Sequence, residues 1–177
     1  MILADSEILR SIENGTIVIS PFERKCLGTN SYDVHLGHKL SVYESDILDA
    51  KKDNPITTFE IPEIGIVLEP NRLYLGVTLE YTETHSHVPF LEGKSSAGRL
   101  GIDIHATAGK GDVGFCNHWT LEISVKQPVR IYAGMPIGQL IYFEVKGTVL
   151  VPYSNKQSAK YSEKQDTPVS SKMWLNF

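Results

Sequence analysis

Cysteine is scarce in this chain: Cys26 and Cys116 are the only two in 177 residues. Two cysteines cannot make the disulfide framework of a small secreted domain, so a reducing compartment fits better and both thiols read as buried and inert. No apolar run approaches the length of a membrane span. The opening Met1-Ile-Leu-Ala-Asp-Ser-Glu7 has neither a basic region nor a long apolar stretch. No export signal and no membrane contact are therefore expected, and the expected location is cytoplasmic. Positive charge is also short: 17 Lys and Arg face 21 Asp and Glu, for a formal net charge of -4. That balance argues against a broad basic surface for duplex nucleic acid, but a local cluster can still hold a small anion. Internal repeats and low-complexity blocks are missing.

What remains is ordinary globular material, 41% hydrophobic and 21% charged. At this length one domain spanning 1–177 is expected, with enough chain to bury a core. Asp5 to Asn14 reads as a short helix, with Asp5 as cap, Ile8, Leu9 and Ile12 on one face, and Gly15 as stop. The pattern then turns to short strands. Thr16–Ile19, Ser31–Leu36, Lys39–Tyr43, Thr57–Ile61, Gly65–Leu68, Tyr74–Leu79 and Val88–Leu91 precede a glycine-rich run. Trp119–Val125, Val129–Tyr132 and Ile137–Val145 follow it. One further helical turn is plausible at Ser96–Leu100. Many short strands at this spacing predict an all-β sandwich or barrel. From Tyr153 to Phe177 the chain is polar and broken by Pro168. Residues 153–177 read as a mobile C-terminal arm rather than a second domain.

The stretch from Glu92 to Glu122 concentrates the chemistry. Lys94, Ser95, Ser96 and Arg99 offer donors to an anion with no acidic side chain among them. Gly93 and Gly98 let the backbone approach closely, which suits polyphosphate. Glu122 sits inside an apolar strand, Trp119-Thr-Leu-Glu-Ile123. A lone strand glutamate usually faces solvent. Here the alternation puts Glu122 on a face shared with Thr120 and opposite Leu121, where a carboxylate is either misplaced or employed.

Several segments together carry a resemblance: Gly93-Lys-Ser-Ser-Ala-Gly-Arg-Leu-Gly101, His105-Ala-Thr-Ala-Gly109, Asp112-Val-Gly-Phe115, Thr120-Leu-Glu122 and Gly134-Met-Pro-Ile-Gly-Gln-Leu140. Asn30 to Gly37, Pro152-Tyr153 and Lys160-Tyr161 add to it. On these motifs the chain resembles the dCTP deaminases of the trimeric dUTPase-like superfamily over nearly its whole length. The resemblance implies a distorted jelly-roll-like β-barrel with a short N-terminal helix and a C-terminal arm. It implies a homotrimer with active sites between subunits. It implies hydrolytic loss of the cytosine 4-amino group of dCTP, giving dUTP and ammonia. The alternative is a bifunctional enzyme that continues to dUMP and pyrophosphate. Magnesium would ride on the triphosphate, no zinc would be used, and dTTP would be a plausible feedback inhibitor.

The resemblance also assigns residues. Glu122 would activate water, with Ser95, Arg99 and the Ala108 carbonyl around it. Lys94, Ser95, Ser96, Ala97, Gly98 and Arg99 would form the phosphate loop. Asp112 would sit near the deoxyribose, and backbone groups of Thr120, Leu121 and Glu122 would read the pyrimidine edge. Gln139, Tyr153, Lys160 and Gln165 would complete the contacts. The tail runs Lys160-Tyr-Ser-Glu-Lys-Gln165, one residue longer than the family's usual spacing, so Lys164 competes with Gln165 for that role. Ala108-Gly109 stands where many single-activity members carry a bulkier second residue. A small residue leaves room for a second water near the phosphates, which favours the bifunctional alternative.

The residues support the chemistry independently. Zinc deaminases need a His or Cys ligand set with a Cys-x-x-Cys pair. This chain has no such pair, so a side chain must do the work, and a desolvated glutamate is able to. His85 and His87 lack an apparent third ligand. His105 reads as a structural strand histidine. Trp174 and Phe177 read as anchors of the tail. A pure dUTP pyrophosphatase would end in a glycine-rich tail motif, which is missing. A non-enzymatic nucleotide sensor would lack the acid–base residue, and Glu122 is present.

Overall fold

The computed structural model describes all residues from Met1 to Phe177. Its helix α1 (Asp5–Glu13) is followed by strands β1 (Ile17–Ser20), β2 (Tyr32–Tyr43), β3 (Ile56–Glu60), β4 (Ile66–Leu68), β5 (Tyr74–Thr78), β6 (Tyr81–Thr84) and β7 (His87–Gly93). A short helix α2 (Ser95–Arg99) comes next. Then come β8 (Ile102–Asp103), β9 (Cys116–Asn117), β10 (Thr120–Val125), β11 (Val129–Ile131) and β12 (Pro136–Glu144).

Every strand pairing is antiparallel. The main sheet runs β7-β12-β2-β5-β10-β8, with β3 also on β2, and smaller sheets run β1-β6-β9 and β11-β4. Alternation explains the layering, because successive side chains on a strand point to opposite faces. Tyr32, Val34, Leu36 and Leu40 of β2 meet Leu121, Ile123 and Val125 of β10 and Ile137, Leu140 and Tyr142 of β12 in one core. Fully burying a side chain of this kind stabilises by about 1.5–3 kcal/mol. β5 is buried at every position, because it lies centrally between β2 and β10.

The all-β expectation holds, with local corrections. The expected strands Ser31–Leu36 and Lys39–Tyr43 form one 12-residue strand whose register shifts between Leu36 and Leu40. Three strands were not foreseen: β6, β8 and β9, two of which have only two residues. Segments that short carry too little alternation to register. Ala4, not Asp5, occupies the cap position of α1. Asp5 is the first helical residue, and its carboxylate accepts the Ser6 N–H. Trp119 stands outside β10. Its N–H goes to the Thr78 hydroxyl and its indole N–H to the Thr82 hydroxyl.

The segment after β12 adds no strand. It contains 3-10 turns at Tyr153–Asn155 and Met173–Asn176 and lies against the barrel. Its base crosses close to the turn before β9, where the Tyr153 N–H reaches the Val113 carbonyl at 2.7 Å. Gly114 permits that crossing. Its φ is +90°, and a Cβ there would come within 2.8 Å of Pro152 Cβ and of the Tyr153 nitrogen.

Candidate active site

β10 is fixed on both edges. Thr120 to Ile123 pair with Val77 to Tyr74 of β5, while Ser124 and Val125 pair with Asp103 and Ile102 of β8. Its burial alternates as expected: Leu121, Ile123 and Val125 enter the core, and Thr120, Glu122 and Ser124 face outward, half-buried. The loop after β8 closes around Glu122. The Glu122 N–H donates to the Ile104 carbonyl at 2.9 Å, and its Oε2 accepts the Ala106 N–H at 2.9 Å. One carboxylate oxygen is therefore pinned, and the other is left to accept a proton from a ligand or solvent molecule.

Glu122 lines a cavity of about 650 Å³ together with Ala108, Asp112, Thr120, Tyr153 and Gln165. These are six of the residues expected at the site. Lys110 Nζ holds Asp112 Oδ1 at 2.9 Å. Gln165, not Lys164, faces the cavity: the Lys164 ammonium lies 3.9 Å from the Tyr81 ring centroid. A second space of about 860 Å³ shares Asp112 and Tyr153; valines make up most of the rest of its wall, with Lys156 as its other charged side chain.

The phosphate-loop residues are placed elsewhere. Lys94, Ser95, Ser96, Gly98, Arg99 and Gln139 do not line the Glu122 cavity. α2 begins at Ser95 with Lys94 as its cap, one residue earlier than expected. Ser95, Ser96 and Arg99 are exposed, and Ala97 is packed into the core. Lys94 Nζ is paired with Asp33 of β2. Gln139 lies opposite Asp33 in the sheet and accepts the Ser31 hydroxyl at 3.4 Å. The Leu121 side chain belongs wholly to the core. Lys160 reaches Asn176 at 2.5 Å rather than the cavity.

Other expectations need correction. Gly109 is closely packed. A Cβ there would sit 2.5 Å from the Leu91 carbonyl oxygen and 3.1 Å from both His105 Nε2 and Phe90 Cε1. Packing against β7 demands the glycine. His105 follows β8 in a loop rather than a strand. Trp174 and Phe177 stay exposed, with Lys51 over the Phe177 ring. His85 does find further ligating groups, Glu83 and Cys116. They are already occupied: His85 Nε2 meets Glu83 Oε2 at 2.9 Å, and Tyr81 donates to Glu83 Oε1 at 2.8 Å. Burial pushes both the Cys116 and Cys26 thiols up, away from thiolate.

Two groups in contact with expected site residues or the arm escaped the sequence reading. Asp33 pairs with Lys94 across 61 residues, a separation with no local signal. Asn117 is 4% exposed and is bonded to the arm.

The fold and this site define a member of a known class. A family model described as dCTP deaminase-like matches residues 2–145, so the chain belongs to the dCTP deaminase-like family. Among its relatives, a protein of Leptospira biflexa serovar Patoc named "dCTP deaminase, dUMP-forming" is 50% identical over 165 residues, covering 93% of this chain and 92% of that protein. A protein of the same name from Clostridium acetobutylicum is 52% identical over 161 residues, covering 91% and 90%. The crystal structure of 2'-deoxycytidine 5'-triphosphate deaminase from Agrobacterium tumefaciens superposes with a TM-score of 0.64 at 21% identity. It covers 80% of this chain, which spans about half (47%) of that longer chain, and it supports the fold. No helix is long and apolar enough to cross a membrane.

Proposed function

We propose that the protein deaminates dCTP and then cleaves the product, converting dCTP and two waters into dUMP, pyrophosphate and ammonia. The first expectation stopped at dUTP. The relatives near 50% identity carry the dUMP-forming name and favour the alternative. The observation that carries the reading is Glu122, a carboxylate in a nucleotide-sized cavity with one oxygen pinned by the Ala106 N–H.

In the first step the free Glu122 oxygen takes a proton from water as the water oxygen bonds to C4 of cytosine. That proton passes to N3, and the C4 carbon becomes tetrahedral. The water's second proton reaches the amino group, the C4–N bond breaks, and ammonia leaves behind a C4 carbonyl. The carbonyl of the exposed residue Ala108 would hold the water, and Asp112 and Gln165 would bound the sugar and phosphate side. Attack of a second water on the α-phosphorus then releases pyrophosphate. Magnesium enters with the triphosphate as part of the substrate.

Lys94, Ser95, Ser96 and Arg99 lie outside this cavity, and we take them to serve the cavity of a neighbouring copy in a homotrimer. There the Arg99 guanidinium and Ser95 hydroxyl would approach the partner's reacting base, where fixed charge and donors stabilise the transition state. dTTP would compete for the same cavity, and the two free cysteines fit work in the cytoplasm.

The test is to incubate the protein with dCTP and magnesium and to separate the nucleotides by chromatography. dUMP with little free dUTP is expected. Accumulating dUTP would return the reading to a single step, and no ammonia at all would sink it. Mixing Glu122→Gln with Arg99→Ala protein tests the shared site. Subunit exchange between the two inactive variants should restore about a quarter of the sites. No restoration would place both residues in one subunit's site.

A further inference from the structure

Asn117 occupies β9 at the edge of the small sheet, opposite Thr82. A carboxamide has two N–H donors and an oxygen with two acceptor positions. All four are used. Nδ2 donates to the Glu163 carbonyl at 2.8 Å and to the Tyr161 carbonyl at 3.2 Å. Oδ1 accepts the Gln165 N–H at 3.0 Å and the neighbouring His118 N–H at 2.9 Å. Three alternate residues of the arm, 161, 163 and 165, thus converge on one buried side chain. Two of them, Tyr161 and Gln165, line the Glu122 cavity.

We propose that Asn117 is a positioning residue that clamps the arm over the cavity and so sets nucleotide affinity. This rests on the function proposed above. Asn117 borders the cavity, but its polar atoms have no capacity left for substrate, so it acts through the arm. The clamp is also selective for an amide. An aspartate of the same shape would keep the acceptor but lose both donors, and its charge would face the carbonyls of Tyr161 and Glu163.

A clamp that sets the closed fraction of the arm acts on apparent affinity, because affinity scales with the population of the competent state. Asn117→Ala should therefore raise KM for dCTP by about tenfold or more, with kcat within about threefold of wild type. Asn117→Asp should raise KM at least as much. A second readout needs no substrate: tryptic cleavage after Lys160 and Lys164 should be faster by about tenfold in both variants, while the barrel melts at the wild-type temperature. Unchanged KM and unchanged cleavage would overturn the proposal. So would a fall in kcat and melting temperature together at constant KM, the mark of a merely structural role. If the wild-type protein does not turn over dCTP, the proposed function fails, and the cleavage comparison still decides whether Asn117 holds the arm.

Discussion

The two walls of the Glu122 cavity are built in opposite ways. β10 is bonded strand to strand on both edges, and its inner face is locked into the core by Leu121 and Ile123, both fully buried. The arm has no strand partner. Between Tyr161 and Lys172, five of its backbone N–H groups are met one at a time by side chains: Tyr161 by the Tyr153 hydroxyl, Gln165 by Asn117, Val169 by Thr120, Ser171 by Tyr43 and Lys172 by the Tyr161 hydroxyl. A ladder breaks cooperatively, whereas single bonds worth about 1 kcal/mol each break independently. The chemistry is thus carried on the rigid wall, and the wall that must admit and release nucleotide is the separable one.

The sharpest way to break this comparison is to remove the acid–base group without touching the ladder. Glu122→Gln keeps the shape and an oxygen for the Ala106 N–H. Deamination should fall by about a thousandfold or more, with dCTP binding and thermal stability retained. Normal turnover in this variant would deny β10 the chemical role altogether. Leu121→Ala does the reverse, leaving the outward face intact and opening a cavity behind it. Unfolding should be easier by about 2–5 kcal/mol, read by denaturant titration. A loss below about 1 kcal/mol would mean that β10 is no more firmly held than the arm.

How much of this was legible depended on which wall a residue occupies. The alternation Thr120-Leu-Glu-Ile by itself assigns the faces of β10, because a strand's period is local and each residue reports its own side. Residues 153–177 lie against the barrel, and Tyr153 and Gln165 reach the cavity. The arm's attachments were not legible. Asn117 meets residues 44 to 48 positions away, and a single asparagine gives no sign of burial or of four partners. Gly109 lies in a motif legible in the sequence, but only the fold brings the Leu91 carbonyl against it. Gly109→Ala should therefore destabilise the barrel by about 1–3 kcal/mol rather than merely alter product choice. A stable variant that stops at dUTP would restore the reading in which the small residue makes room for water.

Tyr161→Phe tests the arm at a single bond. The ring remains, but the Lys172 N–H loses its acceptor. Closure should weaken by about 0.5–1.5 kcal/mol, seen as a few-fold rise in KM at unchanged melting temperature. A large fall in melting temperature would show the arm to be part of the cooperative unit, and the contrast between the walls would disappear.

Acid separates the two walls most gently. Burial lowers the pKa of His87, on β7, below its usual 6.5, although Glu144 and Glu7 pull the other way and the Ser86 hydroxyl meets Nδ1 at 3.1 Å. As pH falls through about 6.5, the unfolded chain takes up this proton before the folded one does. The contribution of neutral His87 is complete above that pH. It declines below it until the folded histidine titrates as well. The side chains that hold these five arm N–H groups are Asn117, Thr120 and three tyrosines, with no histidine or carboxylate among them. The melting temperature should therefore decline modestly on acidification from about pH 7.5 to 5.5, and His87→Gln should flatten that slope. Over the same range the relative rates of arm cleavage in wild type and Asn117→Ala, measured with a protease active throughout, should stay constant. A slope in that ratio would tie the arm to the barrel's titration and remove the independence of the two walls.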